Sequence, residues 1–333
     1  MRTSLKAVAG AGAVVVVVAG TAAGIVSARG EALPSPAQVL ALLEGADVPG
    51  VSGTIVQNAN LGLPGAFAAR LDRSRSVRVW YAAPGRLRLA ALDALGETDL
   101  IRNGGDLWVW DSDEDTATHY RLPYEAAALP LWPPSEVSGF VASPSEAARR
   151  ALASVEPATT VAVERTVEVA GRAAHELVLT PRDAASLVDE VRLAVDAETG
   201  VPLRTRVYAS GETEPVFEVA FSRVEFAEPD AENFTFVAPA GVTVRDGTAE
   251  RAGEGRRARL LGSGWSSVLA VDVDPEWSSV LTGYLARSPQ VSGSWGTGRL
   301  LTSSLFSVLV MDDGRLYVGA VTPERLYRAA DEG

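Results

Sequence analysis

The chain is 333 residues long, 47% hydrophobic and 22% charged with a net charge of -12, so it can fill one large core or two smaller ones and lacks a basic footprint for nucleic acid. It has no cysteine and two histidines, and Lys6 is its only lysine. Disulfides, cysteine-ligated zinc, iron–sulfur clusters and cysteine nucleophiles are excluded, and an amine nucleophile is confined to the sixth residue.

Arg2 and Lys6 precede the uncharged segment Ala7–Val26. Its length, about 20 residues, is enough to span a bilayer as a helix. Val26-Ser27-Ala28 places small residues where a signal peptidase reads them. Residues 1–30 therefore read either as a cleaved signal peptide or as a transmembrane anchor. Both send the remainder out of the cytoplasm, secreted or held on the outer face of the membrane. With no cysteine, a lipid-modified tether is not available.

Helix starts follow at Ser35-Pro36, Ser143-Pro144, Asp274-Pro275 and Thr322-Pro323, where a polar cap precedes a proline suited to the first helical position. Ser143 and Glu146 are spaced as a capping box. After Asp274, the spacing of Trp277, Val280, Leu281, Tyr284 and Leu285 predicts one apolar helix face. A short turn is expected at Thr180-Pro181.

Between the helices the period is two. Val77, Val79 and Tyr81, then Leu87 and Leu89, then Val191, Leu193 and Val195, then Phe217, Val219 and Phe221 alternate with smaller or polar residues. Each run predicts a strand of an antiparallel sheet. At least eight strands are expected from Gly53 to Phe236, turning at Pro84-Gly85, Asn103-Gly104-Gly105, Glu198-Thr199-Gly200 and Ser210-Gly211. Arg245–Arg259 reads as a solvated linker. Beyond it, a strand, the Asp274 helix, a glycine-rich loop, a hairpin (Leu305–Met311 and Arg315–Val321) and a final helix predict a small α+β unit. Such a unit should pack on the larger one.

Covalent chemistry finds little support. His119 and His175 lie in strand-like surroundings without a motif and read as strand histidines with local hydrogen bonds. Asp111, Asp113, Glu114 and Asp115 crowd one turn, yet Thr116 and Leu122 occupy the glycine and glutamate positions of a calcium loop, so a solvated hairpin turn is expected. Gly293–Gly298 lacks dinucleotide and phosphate-loop spacing and reads as a turned loop, and no G-x-S-x-G occurs. No catalytic residue, metal or cofactor is assigned. The apolar faces allow two readings: a sheet face covered by helices, or a concave face left open to acyl chains.

The order of motifs adds a resemblance. Pro84-Gly85-Arg86-Leu87-Arg88, Asn103-Gly104 with Leu107-Trp108-Val109-Trp110, Asp196–Gly200 with Pro202-Leu203, and Phe234-Thr235-Phe236 before Pro239-Ala240-Gly241 resemble the LolA-like superfamily. The nearest forms are actinobacterial LolA-related exported proteins and the N-terminal domain of RseB/MucB-type sigma-factor regulators. The arginine-for-lysine bias and alanine richness fit a GC-rich actinobacterium. The resemblance implies an α+β fold, a strongly curved antiparallel sheet (an unclosed β-barrel) with helices on its concave face. It implies a lipid-binding domain over residues 36–244, a charged linker over 245–259 and a small C-terminal unit over 260–331. It further implies a non-enzymatic carrier of lipid or lipoprotein acyl chains, lined by Val77, Val79, Tyr81, Leu87, Leu89, Val191, Leu193, Phe217, Val219 and Phe221. Trp108 and Trp110 belong to one face or the other. A second reading is an RseB-like envelope-stress regulator that acts on a membrane anti-sigma partner. An uncleaved N-terminal segment would add the cytoplasmic membrane as a partner.

Overall fold

The computed structural model describes residues 32–64, 74–92, 96–121, 159–247, 258–272, 285 and 287–332. The expected N-terminal address and the Ser143 and Asp274 helices fall outside them. Helix α1 (Pro36–Glu44) starts as its sequence predicts. Gln38 N–H donates to Ser35 Oγ, and the Gln38 side chain accepts from Ser35 N–H, a reciprocal capping box.

Twelve strands follow in one sheet. They are β1 (Gly50–Ala59), β2 (Arg75–Ala82), β3 (Arg86–Leu92), β4 (Glu97–Asn103), β5 (Asp106–Asp111), β6 (Thr116–Arg121), β7 (Thr159–Val169), β8 (Arg172–Pro181), β9 (Val188–Asp196), β10 (Pro202–Ala209), β11 (Phe217–Glu225) and β12 (Thr243–Gly247). Their order is β12-β6-β5-β4-β3-β2-β1-β11-β10-β9-β8-β7, so β12 and β7 are separate edges and the curved sheet does not close. β1 to β6 and β7 to β11 are two antiparallel meanders joined along the β1–β11 ladder. That ladder carries a bulge opposite Thr54/Ile55. Beside it, a Cβ on Gly53 would overlap the Arg223 carbonyl and the Phe221 ring, so glycine lets the two backbones meet.

A second, six-stranded sheet has the order β13-β14-β18-β17-β16-β15. It contains β13 (Ala258–Leu261), β14 (Val268–Asp272), β15 (Gln290–Gly293), β16 (Gly296–Thr302), β17 (Ser307–Met311) and β18 (Arg315–Gly319). Helix α2 (Pro323–Glu332) lays Leu326, Ala329 and Ala330 on its core, around Leu309, Tyr317 and Val321.

Four local expectations change. The ends of the expected linker are strands: Arg245–Gly247 continue β12, which pairs in parallel with β6, and Ala258 and Arg259 open β13. Their side chains are mostly exposed, and edge pairing uses backbone groups, so no apolar alternation is required. The glycine-rich segment is a β15–β16 hairpin turned at Ser294-Trp295, with Trp295 buried against Tyr327. β8 continues through Pro181, whose missing N–H costs nothing at a strand end, and the turn comes at Ala184-Ala185. Leu305 lies before β17, in a turn.

Candidate functional site

Register decides which side chains share a face. Val79 stands opposite Leu89 and Tyr81 opposite Leu87 across β2 and β3, and Val77 faces Ile55 of β1. Ile55 faces Phe221, which puts Phe217, Val219 and Phe221 on the same side. Phe217 faces Val207, Val207 faces Val191, and Thr205 faces Leu193. All ten residues expected to line the site therefore lie on one face, here the inner face. Eight of them belong to one apolar cluster with Val51, Leu100, Leu107, Val109 and Leu203. Val191 and Leu193 belong to a second cluster with Leu177, Leu179, Val188 and Val195, covered by Val39 and Leu43 of α1. Helix α1 thus sits on the concave, apolar face. Tyr81 and Val77 are half-buried at its margin, and burial, aided by Asp47, raises the Tyr81 phenol above its ordinary pKa.

Several inner-face residues fall outside the sequence-derived set. Leu100, Leu107, Val109, Leu177 and Leu179 are legible as alternation in their own strands. Arg102 is not: it is 1% exposed, faces Leu87 and Leu107, and donates from Nε to the Gly104 carbonyl at 3.1 Å. Burial lowers its pKa below the usual arginine value. His175 shares this face, opposite Val195, with a buried Nδ1 that has no partner. Burial lowers its pKa below the ordinary histidine value.

The outer face is charged and aromatic. Trp80 lies between the guanidinium groups of Arg78 and Arg88, at 5.6 and 5.3 Å from its ring centroid. Trp108 and Trp110 are on this side, opposite the candidate lining. His119 stacks on Trp108 at 4.3 Å and makes the expected local bond, to Asp106 Oδ1 at 2.8 Å. Phe236 reaches Trp108 from the segment between β11 and β12, which crosses this face and buries Phe234. Across β7 to β10, Glu176 accepts from Arg165 at 2.6 Å and Arg204 at 3.1 Å, with Arg192 at 3.4 Å. The acidic residues at 111–115 form the expected hairpin turn, in which Asp111 Oδ1 accepts from the amides of Asp113 and Glu114. Among the described residues no group of three histidine or acidic side chains could hold a metal ion. Among them, too, no helix is long and apolar enough to cross a membrane.

The second sheet meets the first through backbone bonds and a side-chain bond from Trp265. Leu187 N–H donates to the Ala320 carbonyl at 2.9 Å and Thr322 N–H to the Ala185 carbonyl at 3.0 Å. Ser304 N–H donates to Leu61 O at 2.8 Å, and Trp265 Nε1 to Thr159 Oγ1 at 2.8 Å. Leu61 and Leu63 share an apolar cluster with Leu285, Leu301 and Val310. The small unit therefore packs on the large one, as expected.

The chain is similar to solved structures of MucB and of LolA-superfamily proteins. A chain of the Pseudomonas aeruginosa MucA/MucB complex is 18% identical over 89% of this chain and 96% of its own length, with a TM-score of 0.48. The Mycobacterium tuberculosis lipoprotein LppX is 10% identical over 55% of this chain and 91% of its own, with a TM-score of 0.31. A LolA-superfamily protein from Nitrosomonas europaea is 12% identical over 61% of this chain and 98% of its own, with a TM-score of 0.24. No family model and no curated protein matches the sequence.

Proposed function

We propose that this chain is a non-enzymatic, extracytoplasmic lipid- or lipoprotein-binding protein that holds acyl chains against the inner face of its large sheet. The observation that supports it best is the register itself. It gathers Val77, Val79, Tyr81, Leu87, Leu89, Val191, Leu193, Phe217, Val219 and Phe221 onto one face spanning β2 to β9. Among the described residues, helix α1 and Leu305, Trp265 and Ala320 of the C-terminal unit pack on that face. An unclosed sheet with an apolar concave face gives an acyl chain a surface rich in methyl groups, and each buried methylene contributes about 0.8 kcal/mol. Residues 36–244 carry the site, and residues 1–30 deliver it to or beyond the membrane.

The test is native mass spectrometry of the full-length chain isolated from its own host, followed by identification of released lipid. A bound acylated species is expected, and its displacement should follow Phe221→Arg. A homogeneous ligand-free protein that also ignores acyl probes would overturn the proposal.

A second reading is favoured by the six-stranded sheet hydrogen-bonded to the first: an RseB-like regulator, in which this unit captures a membrane partner. Deletion of residues 260–333 should then abolish partner capture and leave lipid binding intact.

A further inference from the structure

With Trp265 and Ala320, Leu305 packs the second sheet against the inner face. It is half-buried and packs against three apolar clusters at once. These are the cluster of Val79, Leu89 and Phe221, the cluster beneath α1, and the cluster of Leu61 and Leu63. Val207 of β10 abuts the first two. A side chain from the C-terminal unit thus occupies apolar surface where both halves of the inner face converge.

The turn that presents Leu305 is braced. Ser303 N–H donates to the Phe306 carbonyl at 2.9 Å, and Ser303 Oγ accepts from the amides of Leu305 at 3.2 Å and Phe306 at 2.9 Å. Ser303 Oγ also donates to the Phe306 carbonyl at 3.0 Å. These bonds tie the backbone at Leu305 to the β16–β17 hairpin, so a movement of that hairpin would carry Leu305 with it.

We propose that the second sheet is a displaceable stopper: an acyl chain filling the inner face beside Val207 ejects Leu305 and loosens the seam at Leu187–Ala320 and Ala185–Thr322. This rests on the lipid-binding reading above. Linkage makes the effect reciprocal: whatever holds the two sheets together weakens the ligand, and the ligand weakens the seam. The device converts occupancy of an apolar face into exposure of the backbone edges now paired across the seam.

The deciding measurement is amide hydrogen exchange on the full-length chain with and without saturating dansyl-undecanoic acid. Exchange of the Leu187 and Thr322 amides should accelerate about tenfold or more when the probe binds. A companion variant, Ser186→Cys/Val321→Cys, uses the one isolated bridge between the sheets, and the cysteine-free background prevents mispairing. The oxidised form should bind the probe about tenfold more weakly than the reduced form. If the probe binds but seam exchange does not change, the stopper is overturned and lipid binding stands. If the wild-type chain does not bind the probe, the lipid reading and the stopper fall together. Should the cysteine variant fail to fold, exchange on the wild-type chain decides alone.

Discussion

Glu176 is fully buried on the outer face, and three arginines converge on it. They differ in what they lose if its charge goes. Arg165 is 54% exposed and can turn to water. Arg192 keeps Glu164 at 2.8 Å and Glu190 at 2.6 Å. Arg204 is 7% exposed and pairs with Glu176, and burial followed by Arg206 already lowers its pKa. The cost of Glu176→Gln therefore concentrates on Arg204. Breaking a buried pair from one side costs about 3–5 kcal/mol. The glutamine carbonyl can keep one hydrogen bond, which recovers about 1 kcal/mol. A loss of about 2–4 kcal/mol is expected in urea unfolding followed by tryptophan fluorescence. Glu176→Gln/Arg204→Leu should recover part of it, because the stranded cation is gone. A loss under about 1 kcal/mol, or a double variant no more stable than the single, refutes the reasoning.

Two further substitutions probe other parts of the same sheet. Burial tends to raise the pKa of Asp196, but bonds from Arg172 and from Thr199 outweigh it and hold the carboxyl below its ordinary value. The unfolded carboxyl titrates near about 3.9, so this stabilisation is complete above that pH and drains as pH falls through the lower folded value. Asp196→Asn should thus be less stable than wild type at pH 7, and the gap should narrow as pH falls through the lowered folded value; a pH-independent gap in urea unfolding contradicts this. Gly200 has φ +73°, and a Cβ there would overlap the Leu42 carbonyl of α1. Gly200→Ala should cost about 2 kcal/mol or more and loosen α1, seen as faster exchange of the Leu43 and Gly45 amides. Wild-type exchange at those amides would refute the contact's importance.

What could be read from the sequence, and what could not, divides along exposure. β2, β3, β9 and β11 announce themselves because one face is buried and the other is wet, so apolar and polar residues alternate. Exposed edge strands carry no such signal. Arg245–Gly247, the end of β12, looks like a solvated linker because its exposed edge pairing rests on N–H and C=O groups and needs no apolar alternation. Gly293–Gly298 looks like a loop for a related reason: its one apolar side chain, Trp295, sits in a turn. The candidate lining was legible because the period of two fixes a shared face within each strand, and register then joins those faces. Leu305 was not legible as part of it. A leucine two residues before a strand reads as that strand's beginning, and only the three-dimensional path of the turn brings it to the other sheet. Arg102 was hidden for the opposite reason, a charged residue at a buried position.

The β1–β11 ladder has a consequence for how the chain is made. Each meander can pair from neighbours as it emerges, whereas Ile55 must wait for Phe221, some 166 positions later, before the two become one sheet. Contacts of such separation are slow to form because a long loop must close first. Until then the apolar faces of both halves are open to the surroundings. A chain with this strand order has a long vulnerable interval during biogenesis, and holding factors that shield Val79, Leu89 or Leu193 during that interval should govern its yield more than its final stability does.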